Sequence, residues 1–97
     1  MEEELREQLL ASCEALTQAG FPMERVRRQS EQFGAVRAVQ NYLRAPCDLA
    51  LLKKAGVLAK SVEALVVRSE FGELFTDAEV NDCFAALCAE GYFSAKA

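Results

Sequence analysis

The chain has 97 residues, of which 52% are hydrophobic and 27% charged, with a formal net charge of −4. A chain of this length can bury one hydrophobic core and is too short for two, so we expect one compact domain over residues 1–97. Good helix formers are abundant, and segments that alternate apolar and polar residues, as strands do, are hard to find. The sequence therefore predicts an all-α fold, a small bundle of about six helices.

The composition also argues against a membrane or secreted protein. No apolar run reaches the roughly 20 residues of a membrane-spanning helix. Met1 is followed by Glu2, Glu3 and Glu4, where a signal peptide would carry positive charge. We therefore expect a cytoplasmic protein with no membrane partner. Its four cysteines lack the dense spacing of a disulfide framework and are expected to be reduced: Cys13, Cys47, Cys83 and Cys88.

Charge is segregated along the chain. Residues 1–23 contain five Glu and one Arg, a net charge of −4. Residues 24–60 contain eight Lys or Arg and three Asp or Glu, a net charge of +5, and residues 61–97 contain seven acids and two bases, a net charge of −5. A basic middle is thus flanked by two acidic ends, which directs the search for a binding surface to the middle.

The N-terminal half is predicted to contain three helices. Apolar residues spaced by three and four predict a first helix from about Glu3 to Gln18, which Gly20 follows as a cap. Pro22 can occupy the first position of a second helix, which Gly34 ends, and a third helix runs from about Ala35 to Leu43. The three apolar stripes are Leu5, Leu9, Cys13 and Leu16; Met23, Val26 and Phe33; and Val36, Val39 and Leu43.

Three further helices are predicted in the C-terminal half. Asp48 can cap a fourth helix over residues 49–60, in which Gly56 weakens the helical tendency. A fifth helix starts at Ser61 and is expected to stop near Phe71 and Gly72. Thr76 and Glu79 form an S/T-x-x-E capping box for the last helix. The predicted inner stripe of that helix is Val80, Phe84, Leu87 and Cys88, and the aromatic pair that can fold back onto the core is Tyr92 and Phe93.

These apolar stripes define the predicted core. Phe84 is a large member of the set, so we expect its truncation to alanine to cost about 3–5 kcal/mol. The predicted core residues are Leu9, Leu16, Phe21, Val36, Val39, Leu65, Val80, Phe84 and Leu87.

Two motifs in residues 16–43 occur together: the loop Ala19-Gly20-Phe21 and the segment Gly34–Leu43. They resemble the Met-Gly-Phe/Tyr loop and the third helix of ubiquitin-associated (UBA) domains. The resemblance implies a UBA-like three-helix unit over residues 1–45, with a helical extension over residues 48–97 packed on it. In such a unit Gly20 relieves a left-handed turn, Phe21 fills the small core and Ala38 allows close approach of helices.

The departures from the family pattern concern the ubiquitin contact. In ubiquitin-binding members, the loop Met and an apolar pair at the end of the third helix form the contact patch. Here Ala19 replaces that Met, and Arg44 follows Leu43. The apolar patch is therefore reduced, which argues against ubiquitin as the ligand. A small helical bundle unrelated to UBA domains is the alternative interpretation.

The sequence offers no catalytic or metal-binding constellation. It contains no histidine, which removes the commonest general base and a common metal ligand. Cys83 and Cys88 are five residues apart and point about 140° from each other on a helix, so they are not a chelating pair. No phosphate-binding loop, nucleophile elbow or calcium loop is present. We expect no enzyme activity, no metal and no cofactor.

The basic middle of the chain is the candidate binding surface. Arg25 and Arg28 lie on one side of the second helix, and Arg37 and Arg44 are seven residues apart on or just past the third. These side chains predict a patch that contacts a protein with an acidic surface. The complete predicted partner-binding set is Arg25, Arg28, Arg37, Arg44, Gly20, Phe21 and Tyr42.

Three interpretations of this patch remain open. The first is a non-enzymatic protein-protein interaction module, either an adaptor or an inhibitor of a larger cytoplasmic machine, such as the anti-CRISPR proteins encoded by phages and mobile elements. The second is a helical nucleic-acid-binding regulator that uses the face from Arg25 to Arg44, although the acids of the last helix would repel phosphate. The third is a solvated arginine face, balanced by the acidic first helix.

Overall fold

A computed structural model describes residues 2–93 of the chain. These residues form six α-helices and two short 3₁₀-helices without a β-strand, which confirms the all-α class. No helix in this range has both the length and the apolar composition needed to cross a membrane. The α-helices are α1 (Glu2–Gln18), α2 (Glu24–Phe33), α3 (Ala35–Tyr42), α4 (Leu49–Lys54), α5 (Val62–Val66) and α6 (Asp77–Ala89), and the 3₁₀-helices are Leu58–Lys60 and Ser69–Leu74.

Helix α1 joins the two halves of the chain. It packs against α2 and α3 on one side and against α5 and both 3₁₀-helices on the other. Its three N-terminal glutamates lie at the positive end of the helix dipole, where negative charge is stabilising. Its predicted apolar stripe is confirmed, because Leu5, Leu9, Cys13 and Leu16 are all buried in one continuous core.

Helices α2 and α3 form a close pair after a tight turn. Gly20 has a φ of +99°, in the left-handed region that favours glycine. Helix α2 begins at Glu24, so Pro22 lies two residues before the helix and does not occupy its first position as predicted. Helix α3 buries Ala35 and Ala38, whose small side chains permit close approach of neighbouring helices.

The prediction that Phe33 belongs to the apolar stripe of α2 is wrong. Its side chain is 60% exposed, whereas Val26 and Ser30 of the same helix are buried. Phe33 is in phase with Val26, but it is the last residue of α2, and the chain turns at Gly34 directly into α3. The core therefore ends before Phe33.

The predicted fourth helix is interrupted at Gly56. Helix α4 ends at Lys54, and Gly56 takes a φ of +79°, which helices do not contain. The 3₁₀-helix Leu58–Lys60 follows. Asp48 caps α4 as predicted, since its Oδ1 accepts a hydrogen bond from the Ala50 amide at 2.9 Å.

Helix α5 is buried on every side. All five residues from Val62 to Val66 are buried, and the helix packs against α1, α6 and both 3₁₀-helices. Ser61 caps it, because its hydroxyl oxygen accepts a hydrogen bond from the Ala64 amide at 3.1 Å. A helix that is apolar nearly all round is stable only inside a core, which is where α5 lies.

Helix α6 begins with the predicted capping box. The Thr76 hydroxyl accepts from the Glu79 amide at 3.1 Å, and the Glu79 carboxylate accepts from the Thr76 amide at 2.9 Å. These two hydrogen bonds satisfy two of the amides that a helix leaves unpaired at its start.

The inner stripe of α6 differs from the prediction. Cys83 and Leu87 are buried, whereas Phe84 is 49% exposed and Cys88 is exposed. A stripe through residues 80, 83 and 87 and one through residues 80, 84 and 87 are equally helical. The fold turns the smaller Cys83 towards the core and Phe84 towards solvent.

The other core predictions can be compared residue by residue. Leu9, Leu16, Val39, Leu65 and Leu87 are buried, and Phe21, Val36 and Val80 are half-buried against the core. The prediction that Phe84 is a core residue is wrong, because its side chain is half exposed. Tyr92 and Phe93 are exposed: Phe93 stacks on Phe84, and Tyr92 lies beside α1 and α5, where it lines a cavity with Gln8 and Leu65. The largest fully buried side chain is one that the prediction omitted, Phe71 of the second 3₁₀-helix.

Phe71→Ala should therefore be the costly aromatic truncation. Loss of this fully buried ring should lower the free energy of unfolding by about 3–5 kcal/mol. Phe33→Ala, at an exposed position, should change it by about 0.5 kcal/mol or less. Urea denaturation followed by circular dichroism measures both values. Equal effects of the two substitutions would contradict this assignment of the core.

Candidate binding groove

A groove lies between α2 and the C-terminal end of α3. Its volume is about 620 Å³. Met23 and Val26 contribute apolar side chains from the α2 side, and Tyr42 contributes its ring from α3. The remaining lining residues are Pro22, Arg25, Gln29, Asn41, Arg44, Ala45 and Cys47.

The structure brings two of the four predicted arginines to this groove. Arg25 lines it from α2 and Arg44 from the turn after α3, although they are 19 positions apart in the chain. Arg28 and Arg37 are exposed on the same two helices but outside the lining. Within residues 2–93, none of these four guanidinium groups forms a salt bridge, whereas Arg27 pairs with Glu24 at 3.1 Å. The four are therefore available to an external anion.

Gly20 and Phe21 shape the entrance to α2. The Phe21 amide donates to the Leu16 carbonyl at 2.9 Å, which closes the turn at Gly20. Phe21 is half-buried and packs against the core, and Pro22 after it lines the groove. Gly20 and Phe21 therefore do not line the groove themselves. They fix the turn that places Pro22 and the start of α2 at its edge.

Tyr42 is a structural residue of the groove. Its side chain is only 7% exposed. The Tyr42 hydroxyl donates to Glu63 Oε1 at 3.2 Å and accepts from the Cys47 amide at 3.2 Å. These bonds join α3 to α5 and to the loop before α4. The polar end of Tyr42 therefore points inward while the residue lines the groove, and its predicted contact with a partner stays a prediction.

Glu63 is a functional candidate that the sequence prediction missed. It is 3% exposed, and burial raises its pKa above the ordinary value, an effect that hydrogen bonds from its own amide and from Tyr42 partly offset. Burial, followed by the nearby Glu63 charge, also raises the pKa of Tyr42. The available signal was the single carboxylate in the apolar run from Val62 to Val67.

A small acidic cavity of about 160 Å³ lies beyond Glu63. Its polar lining comes from Glu63, Glu79, Asp82 and Cys83, and Gln40 of α3 donates to Glu79 Oε1 at 3.5 Å. Burial and then the charges of Glu63, Asp82 and Glu79 raise the pKa of the Cys83 thiol to about 12. Across residues 2–93, no three acidic, Cys or His side chains converge in a geometry that could hold a metal ion.

Two of the four cysteines lie in the core. Cys13 and Cys83 are buried, Cys47 is half-buried beside the groove, and Cys88 is exposed. Burial raises the pKa of Cys13 to about 11, an effect that Arg27 partly opposes. Both buried thiols are therefore protonated at neutral pH, and protonated thiols are poor nucleophiles and poor metal ligands.

Comparison with known proteins adds no relative. No protein-family model matches the chain, and neither a curated protein nor a solved structure is significantly similar to it.

The burial of Glu63 predicts a pH-dependent stability. Because the folded state raises the pKa of this carboxyl, its contribution to stability is fully present below the unfolded pKa, near 4.5, and is lost as pH rises through the folded pKa. Glu63→Gln removes this titration and keeps an acceptor for the Tyr42 hydroxyl. The variant should therefore become increasingly more stable than the parent as pH rises from 4 to 9.

Thermal unfolding of both proteins across that range tests the prediction. Glu73→Gln, at an exposed carboxylate, controls for the loss of one negative charge. A constant difference between Glu63→Gln and the parent at every pH would show that Glu63 does not titrate differently in the folded state.

Proposed function

We propose that the chain is a non-enzymatic interaction module that binds an acidic segment of a protein partner in the groove between α2 and α3. One observation carries the proposal: Arg25 and Arg44, which form no ion pair within residues 2–93, flank a groove whose lining includes Met23, Val26 and Tyr42. Such a site combines charge with an apolar surface. Its role would be that of an adaptor or of an inhibitor that occupies a surface of a larger machine.

The chemistry of the lining indicates what would fit. Arginine forms bidentate bonds with carboxylates and is enriched at interface hot spots. The polar side chains Gln29 and Asn41 can hydrogen-bond to the backbone of a bound segment, and the buried residues Met23, Val26 and Tyr42 lie behind them in the lining. An acidic segment is therefore the expected ligand.

The UBA-like unit enters the proposal as the scaffold of this groove. Helices α1, α2 and α3 would supply a three-helix frame of the kind that the loop Ala19-Gly20-Phe21 resembles. The family's ubiquitin contact lies at that loop and at the end of the third helix, where this chain has Ala19 and Arg44. A partner bound through carboxylates on Arg25 and Arg44 is favoured over ubiquitin for that reason.

Several features support a binding role over a catalytic one. The chain contains no histidine, and the pKa values of the buried thiols are raised. Small helical proteins with segregated charge are common among inhibitors of host machinery, including anti-CRISPR proteins, and this likeness is an analogy of class.

Nucleic-acid binding is the second candidate function. It would use the four exposed arginines of the α2–α3 face, since guanidinium groups bind phosphate as well as carboxylate. The groove favours a protein, because an apolar lining contributes little to contacts with a phosphate backbone. The acidic first turn of α6, with Asp77 and Glu79, would also repel nucleic acid from that helix.

Reversal of the two groove charges should abolish partner binding and leave the fold intact. Arg25→Glu combined with Arg44→Glu changes exposed side chains, so the thermal midpoint should stay close to that of the parent. Capture of the partner from a lysate of the native host, quantified by mass spectrometry, should fall at least about tenfold. The matched control, Arg6→Glu with Lys60→Glu, makes the same charge change at exposed sites outside the groove.

Two results would contradict the proposal. If both double variants lose the partner equally, net charge and not the groove determines binding. If a 20-base-pair duplex binds the parent with an affinity that falls steeply with salt, and Arg25→Glu with Arg44→Glu removes that binding, the surface belongs to a nucleic-acid regulator.

A further inference from the structure

The outward face of α6 is apolar at its C-terminal end. The segment Cys83–Ala89 contains no charged residue, although most of its positions are exposed. Solvent-facing helix surfaces normally carry charged and polar side chains. Here Phe84, Ala85, Cys88 and Ala89 face solvent instead.

An aromatic cluster extends this face. The Phe84 and Phe93 rings stack with their centroids 4.7 Å apart, and Tyr92 meets Phe93 edge-on at 4.9 Å. Phe84 is 49% and Phe93 42% exposed. Mutual stacking holds these rings in place in advance, so a partner would immobilise little more on binding them. Exposed aromatic clusters of this kind are typical of protein interfaces.

We propose that this face binds the same face of a second copy of the chain, with the two α6 helices antiparallel about a two-fold axis. The charges at the two ends of this face favour a second copy of the chain as the occupant. Asp77 is exposed at the start of α6, and Lys53 Nζ lies 3.8 Å from the position that a Cβ would take on Gly91, just past the end of α6. An antiparallel pair brings Asp77 of each copy to the end of the other helix where Lys53 lies, whereas Glu90 at that end is about 120° round the helix axis from Phe84.

The helix rise sets the register. With the two-fold axis at the level between Phe84 and Ala85, Asp77 lies about 11 Å along the helix on one side and Gly91 about 10 Å on the other, at 1.5 Å per residue. Asp77 of each copy thus meets Lys53 of its partner. The symmetry also brings the two Phe84 rings together, as an isologous interface requires. The opposed helix dipoles add a small favourable contribution.

Self-association by this route leaves the proposed groove free. None of the residues that line the groove belongs to α6 or to the aromatic cluster. The inference therefore does not depend on the proposed function, and the two can fail separately.

Phe84→Asp tests the surface. Sedimentation equilibrium of the parent should show a monomer–dimer equilibrium, and the substitution should raise the dimer dissociation constant at least about tenfold by placing a charge in the apolar contact. Phe33→Asp is the matched control, since Phe33 is an exposed phenylalanine on α2. It should leave the dissociation constant unchanged. Circular dichroism verifies that both variants are folded.

An engineered disulfide tests the register. In the proposed dimer, position 81 of one copy lies opposite Cys88 of the other, so Asn81→Cys should form dimers with two disulfides on oxidation. Residues 81 and 88 of one helix are about 10 Å apart, too far for a bond within the chain. Asn81→Cys combined with Cys88→Ser should not cross-link.

The outcomes separate the possible occupants. A parent that stays monomeric up to millimolar concentration overturns the proposal and leaves the face to a different protein. A dimer that survives Phe84→Asp but is lost in Phe33→Asp also overturns it and places the interface on α2. Cross-linking through Asn81→Cys and Cys88, together with loss of the dimer in Phe84→Asp, supports it.

Discussion

The hydrogen bond from Tyr42 to Glu63 joins the two halves of the chain through buried polar side chains, in addition to the packing of α1 on both halves. Glu63 lies in α5, which is buried on every side, and Tyr42 ends α3, so a 3.2 Å bond fastens the arginine-bearing helices to the centre of the C-terminal half. The same hydroxyl accepts from the Cys47 amide and holds the loop that leads into α4. A buried carboxylate is tolerated there because it has a partner.

This constraint also explains how distant arginines share a groove. With α3 held by Tyr42, Arg44 stays on the same side as Arg25, and Met23 and Val26 complete the lining. Three acidic residues lie away from the groove and line the small cavity by α6: Glu63, Glu79 and Asp82. If two copies pair through α6, the assembly presents two such grooves, and a partner with repeated acidic segments would gain avidity.

Local signals in the sequence predicted much of the fold. The spacing of Leu5, Leu9, Cys13 and Leu16 and the capping box at Thr76 depend only on residues within a few turns, and both are present in the structure. Errors arose where long-range packing chooses between equal local options. Helical periodicity does not distinguish Cys83 from Phe84 as the inward residue, and it does not show that the core ends before Phe33.

The sequence was sufficient to predict which arginines are exposed, but it did not predict which of them line the groove. The composition of residues 24–60 indicated an arginine surface, and all four arginines are exposed. That Arg25 and Arg44 alone line the groove depends on how α2 packs on α3, which spacing does not specify. Tyr42 was predicted to be one of the partner contacts. Its role as the bond to Glu63 depends on residues 21 positions apart in the chain.

Site-specific photocross-linking in the native host tests the central claim most directly. A photoreactive phenylalanine analogue at Gln29, inside the groove, should form a covalent adduct with one partner protein through an acidic segment. The same analogue at Glu73, an exposed position outside the groove, should give no such adduct. Adducts with that partner from Glu73 and none from Gln29, or adducts with nucleic acid alone, would contradict the assignment of the groove as the protein-binding site.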